Sequence, residues 1–177
     1  MFLSRYFDYT KLKGQMANAI TLLNLSFGII AIILIAKELS HMSLVFIFLA
    51  ALFDRFDGLV ARRFHCESLF GKELDSLSDL VSFGVAPALL IYMTDLSSML
   101  WVGIGATVFY ILSGAVRLAR YNVKEFDGSF YGLPITVAGV ILALCYFLSP
   151  YMAAPYFVII MVVLGIMMVS NFRIAKI

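Results

Sequence analysis

Six stretches of this chain are apolar almost without interruption, near residues 18–37, 43–61, 76–94, 99–117, 132–149 and 153–171. Each is close to the roughly 20 residues that a helix needs to cross a hydrocarbon layer of about 30 Å. None alternates polar with apolar positions, so the pattern predicts helices rather than barrel strands; in lipid each helix satisfies its own backbone hydrogen bonds. The expected fold class is all-α, a polytopic membrane protein with about six transmembrane helices. Ahead of the first run, residues 1–17 mix Phe2, Tyr6, Phe7 and Tyr9 with Arg5, Lys11 and Lys13, which predicts a short N-terminal amphipathic segment lying at the headgroup level. The first apolar run is long for a secretory signal, lacks a convincing small-residue cleavage site and is followed by five more, so no processing is expected. No repeat, low-complexity tract or large polar insertion interrupts the pattern, and residues 1–177 are expected to form a single domain.

Composition sharpens this picture. Of 177 residues, 63% are hydrophobic and only 14% charged, and the mean hydropathy of +0.99 excludes an ordinary soluble domain. No nucleic-acid partner is expected. The thirteen Lys and Arg residues give orientation: all but Lys37 fall on one side of the six-helix arrangement, while the connections around 39–42, 94–98 and 149–152 carry none. The positive-inside rule makes the basic side cytoplasmic, with both termini on it. Its basic rim also attracts anionic headgroups, so membrane lipids are natural partners. Cys66 and Cys145 have neither metal-ligand nor disulfide spacing and are read as structural.

The chemistry sits in one run. From Asp54 to Asp79 the chain reads D-x2-D-G-x2-A-R-x8-G-x3-D-x3-D, and its four aspartates are among only eleven acidic residues. They lie inside or beside apolar stretches, where an ionised side chain costs about 2.5–3.5 kcal/mol on insertion scales. Asp54 and Asp57 are three apart, Asp75 and Asp79 four apart, so each pair projects from one helix face and two neighbouring helices can converge all four. Carboxylate oxygens in such a group select hard cations, Mg²⁺, Mn²⁺ or Ca²⁺, and suit in-line displacement at phosphorus. Gly58 and Gly71 let a ligand or a backbone come close, and Arg62 can offer its planar fork to a phosphate. Two other readings use the same residues: structural ion pairs of Asp54 or Asp57 with Arg55, Arg62 or Lys72, and a divalent-cation channel or transporter.

Asp54, Asp57, Gly58, Ala61, Arg62, Gly71, Asp75 and Asp79 together reproduce the signature of the CDP-alcohol phosphatidyltransferases, a family this chain therefore resembles. The resemblance implies a six-helix membrane enzyme, commonly a homodimer, which transfers a substituted phosphoryl group from a CDP-linked lipid to an alcohol and releases CMP. Position by position, it makes Asp54, Asp57 and Asp75 ligands of one or two Mg²⁺ or Mn²⁺ ions. Asp79 would join the second ion and accept the proton of the attacking hydroxyl. Gly58, Ala61, Arg62, Ser68 and Gly71 fall where the family holds the CDP-lipid, as do Asn18 and Thr21 at the mouth of the first span.

The acceptor is not encoded in that signature. The strings ELDSLSDLVSFGVAPA, SGAVRLARYNV and YGLPITVAGV resemble those of the membrane-bound phosphatidylserine synthases of the family, which implies L-serine as acceptor and CDP-diacylglycerol as donor. Glycerophosphate-using members typically carry Pro after the third Asp and Lys after the fourth, where this chain has Ser76 and Leu80. Serine brings a carboxylate, for which Arg117 and Arg120 at a helix end are available cations, with Asn24 as a further acceptor contact. Glycerol 3-phosphate, inositol or inositol phosphate are the alternative acceptors, and an ether-linked lipid the alternative donor. The expected location is the cytoplasmic membrane of a prokaryote, the site facing the cytoplasm.

Overall fold

The computed structural model describes residues 9–64, 68–123, 130–171 and 173–174. They form α1 (Tyr9–Ala36), α2 (Ser40–Phe64), α3 (Leu69–Asp79), α4 (Ala86–Ile91), α5 (Leu100–Val123), α6 (Ile135–Cys145) and α7 (Ala154–Val169). Wider π-type turns at Leu80–Val85 and Tyr92–Leu96 join α3 to α4 and continue beyond it. Two-residue strands β1 (Phe130–Tyr131) and β2 (Arg173–Ile174) pair antiparallel; everything else regular among the described residues is helical, so the class is all-α as expected. Residues 1–8 of the expected amphipathic segment lie outside the described residues, and from Tyr9 the chain is already continuous helix into the first apolar run.

Among the described residues, two helical stretches are long and apolar enough to cross a membrane, Asn18–Ala36 and Leu69–Val123. The second is a hairpin. At Ser97–Met99 the helix tightens to a 3₁₀ turn and reverses, so that Gly103 packs against Leu96, Tyr110 meets Phe83, and Tyr121 and Asn122 meet Lys72. Glu38, at φ 62, makes the corresponding reversal between α1 and α2. The arms therefore run antiparallel. At one end lie the α1–α2 turn, the α4–α5 turn and the α6–α7 turn, tied by Ser149 to Asp95 at 2.6 Å and by Tyr146 against His41. The other end gathers the C-terminal parts of α2, α5 and α7 with the starts of α3 and α6, and with them Lys72, Arg117 and Arg120. Exposed Leu22, Ile33, Val108, Ile159 and Ile166 cover the outside, as a lipid-facing surface requires, while Phe83, Tyr110, Ile135, Leu142, Phe157 and Met161 fill the centre.

The centre is organised by Pro87. A proline cannot donate to the carbonyl four residues back, and its ring crowds that carbonyl. Here the helix widens just before it, with Ala86 N–H bonding to Val81 O, five residues back. Phe83 O, which residue 87 would otherwise engage, is met instead by the Tyr110 hydroxyl at 3.1 Å. Small residues let neighbours close on this turn: a Cβ on Gly139 would lie 2.6 Å from Phe83 O, and one on Gly28 would collide with Ser82 Oγ. Ser78 and Ser82 donate across to Thr21 O and Asn24 O of α1, each at 3.2 Å. The arm carrying Asp75 and Asp79 is thus fixed on three sides by α1, α5 and α6.

Candidate active site

Asp54 stands in the C-terminal half of α2, Asp75 and Asp79 one turn apart on α3. One carboxylate oxygen from each lies within 4.8 Å of the other two. The spacing expected from sequence, two helices converging their acids, is what the fold produces for these three. Asp54 hydrogen-bonds both Asp79 and Thr136 through its side chain. Two carboxylates in contact need a proton or a cation between them, because like charges at that distance repel. Oxygen donors around Mg²⁺ or Ca²⁺ stand about 2.0–2.6 Å from the ion, so ligands on opposite sides are about 4–5 Å apart. Donor type and spacing both fit a hard divalent cation. Asp57 follows one turn along α2, as do Ala61 and Arg62 further on, and the side chains of all three lie outside the described residues. Gly58 is half-buried on the same helix.

Beside this cluster, Asn18, Ser68 and Gly71 meet where α1 passes the start of α3. Ser68 is the N-cap of α3, its Oγ accepting from Gly71 N–H at 3.0 Å. A Cβ on Gly71 would lie 3.1 Å from both Asn18 Oδ1 and Ser68 Oγ, so the glycine is what allows Asn18 to approach. Deeper along α1, Thr21 is buried and Asn24 is 0% exposed. Among the described residues, neither Oδ1 nor Nδ2 of Asn24 has a hydrogen-bond partner. A fully buried amide with nothing to bond costs about 1–3 kcal/mol per group, a cost that a water or another polar group would relieve.

The two arginines of α5 part company. Arg117 is buried, its guanidinium 4.8 Å from the Tyr121 ring centroid and within reach of the Asp79 charge, and its Nε has no hydrogen-bond partner among the described residues. Arg120 turns the other way: Nη1 donates to Val169 O at 2.9 Å and to Asn171 Oδ1 at 3.2 Å, capping the end of α7. In sequence the two read alike, being three apart on one helix.

Lys72 is also placed differently from the ion-pair reading. Its ammonium donates to Tyr121 O and Asn122 O at 3.2 and 3.3 Å, capping α5. Asn122 in turn donates to Glu73 Oε2 at 3.0 Å and bonds Ser76 Oγ at 3.1 Å. These contacts clamp α3 to α5 beside Asp75. Thr136 is the residue that sequence reasoning misses. The available signal is a hydroxyl two residues after Pro134, at the start of a helix, but the chain does not say which other helix that end faces.

A family model described as CDP-alcohol phosphatidyltransferase matches residues 14–170. A protein of Methanocaldococcus jannaschii named CDP-diacylglycerol–serine O-phosphatidyltransferase is 36% identical over 158 residues, covering 89% of this chain and 72% of that protein. One of the same name from Bacillus subtilis is 37% identical over 129 residues, 72% of this chain and 73% of its own length. An archaetidylserine synthase of Methanothermobacter thermautotrophicus is 36% identical over 155 residues, 86% of this chain and 66% of its own length. Matched from residue 14 to residue 170, with the aspartates of α2 and α3 converged as described, the chain belongs to the CDP-alcohol phosphatidyltransferase family.

Proposed function

We propose that the chain transfers the phosphatidyl group of CDP-diacylglycerol to the hydroxyl of L-serine, giving phosphatidylserine and CMP. The observation that carries this reading is the convergence of Asp54, Asp75 and Asp79 within 4.8 Å; the buried cation Arg117, close enough to interact with Asp79, supports serine. The relatives named as serine transferases, bacterial and archaeal, point the same way. In this reading residues 1–177 are one membrane domain whose six antiparallel arms each span the bilayer. The basic end faces the cytoplasm of a prokaryotic cell, and the chain works as a homodimer.

One or two Mg²⁺ or Mn²⁺ ions held by Asp54, Asp57, Asp75 and Asp79 would neutralise the pyrophosphate and the departing CMP. Asn18, Thr21, Gly58, Ala61, Arg62, Ser68 and Gly71 hold the CDP-lipid, with Arg62 on a phosphate. Arg117 takes the serine carboxylate in a two-pronged contact, and the Asn24 amide supplies a donor and an acceptor for the rest of the acceptor. Asp79 accepts the hydroxyl proton as the serine oxygen bonds to the phosphorus bearing diacylglycerol; the bond from that phosphorus to the CMP oxygen breaks in line. Arg120, engaged on α7, braces α5 rather than binding the acceptor.

The test is CMP release by purified protein in detergent with CDP-diacylglycerol and Mg²⁺ or Mn²⁺, supplying L-serine, glycerol 3-phosphate, inositol or inositol phosphate separately. Release dependent on L-serine alone is expected. Dependence on another alcohol would keep the aspartate chemistry and overturn the acceptor; no release in any mixture, with Mn²⁺ uptake by protein in vesicles, would favour a transporter. Light scattering of the same preparation gives its mass, and a monomer would refute the dimer.

A further inference from the structure

Several hydroxyls among the described residues serve their own helix. Ser26, Thr107 and Ser113 sit inside helices and bond back to the carbonyl four residues earlier, on Leu22, Gly103 and Phe109, at 2.7–2.8 Å. Thr94 does the same to Leu90 O at 2.9 Å. Thr136 is the second residue of α6, so the carbonyl four residues back belongs to Gly132, ahead of the helix, and its side chain hydrogen-bonds Asp54 on α2. The N-cap of α6 is Pro134, which makes no side-chain cap.

Thr136 is also held more firmly than a loop residue would be. Gly132 adopts φ 69, and a Cβ there would lie 2.7 Å from Met168 O and 2.9 Å from both Met167 O and Ser170 O. Leu133 N–H donates to Met167 O at 3.0 Å. The end of α7 that receives these contacts is the one Arg120 caps at Val169 O. Behind Thr136, Ile135 is 1% exposed. A continuous run of contacts therefore connects α5, the end of α7, the start of α6 and Asp54.

We propose that Thr136 is a positioning residue for the divalent cation, its hydroxyl fixing the Asp54 carboxylate so that one oxygen stays turned toward Asp75 and Asp79. A metal-bound carboxylate keeps a second oxygen that accepts a hydrogen bond, and losing such an outer partner typically costs about 10- to 100-fold in metal affinity. The proposal rests on the metal reading of the aspartates and is independent of which alcohol accepts the phosphatidyl group.

The test is Mn²⁺ binding by the purified, substrate-free protein, read from loss of the free-ion electron paramagnetic resonance signal. Thr136→Val, which keeps shape and loses the hydroxyl, should bind Mn²⁺ about 10- to 100-fold more weakly, while Thr136→Ser stays near wild type. CMP release by Thr136→Val should recover as Mn²⁺ is raised, and its metal-free melting temperature should match wild type. Thr136→Ala serves in its place if the valine protein is not recovered. Wild-type affinity in Thr136→Val, equal weakening in the valine and serine variants, or no Mn²⁺ binding by the wild type would each overturn the proposal. Failure of L-serine as acceptor, with these affinities as expected, would overturn only the acceptor reading.

Discussion

Tyr110→Phe removes one hydroxyl from the centre of the fold and leaves the ring, fully buried, in place. That hydroxyl is the donor at 3.1 Å to Phe83 O, a carbonyl whose helical partner would be residue 87 and is deprived of it by Pro87. A buried carbonyl left without a donor costs about 1–3 kcal/mol. Hydrogen bonds between membrane helices average about 0.6 kcal/mol in double-mutant cycles. The expected loss is therefore about 1 kcal/mol, a fall of roughly 2–4 °C in Tm for a chain of this size. Pro87→Ala restores an N–H at the right register, so removing the Tyr110 hydroxyl in that background should cost less than half as much. The assay is thermal unfolding of the four proteins, wild type, both single variants and the double, in one detergent. Equal losses in the two backgrounds would refute the link between Pro87 and Tyr110, and no loss in either would show that another donor already meets the carbonyl.

Asp79→Asn should retain binding of CDP-diacylglycerol and lose turnover by on the order of 10²-fold or more, measured as CMP release; unchanged turnover would remove Asp79 from the proton transfer. Arg117→Ala should raise KM for serine with donor affinity little changed, and equal loss of both would count against a carboxylate contact. Arg120→Ala should instead lower Tm, through the lost cap on Val169 O, without a selective effect on serine KM; a serine-specific KM effect would restore it to the acceptor site. Gly139→Ala should destabilise by about 1–3 kcal/mol, because its Cβ would meet Phe83 backbone at 2.6 Å. Gly105→Ala, with nothing within 4 Å, should leave Tm unchanged or slightly raised, and similar behaviour of the two variants would contradict this packing.

The apolar runs, the basic rim and the aspartate spacing are all legible in the chain itself, because each is a local or periodic property. Asp54, Asp57, Asp75 and Asp79 read as a convergent group from their spacing on two helices; Asp54, Asp75 and Asp79 converge, and the Asp57 side chain lies outside the described residues. Asn18 and Gly71 stand out only by their positions along the chain, and the fold puts them side by side. The arginines are less readable: Arg117 and Arg120 are three apart on α5, yet one is buried near Asp79 and the other caps α7. Thr136 carries no distinguishing pattern, since a threonine near a helix start more often serves its own backbone.

From sequence alone the chain's class is determined, all-α and strongly apolar, and so is the carboxylate donor set that could hold a hard cation, because solvent preference and ligand type belong to individual residues and survive any arrangement of them. Tertiary structure decided which side chains share a site. Asp54 and Thr136, on α2 and α6, meet in a fold where the helix widens ahead of Pro87, glycines let α1 and α6 close on that turn, and Gly132 seats the start of α6 on the end of α7. Those contacts depend on helix phase and on the fit of one surface to another. Both are set jointly by distant residues, so no local pattern in the chain encodes them.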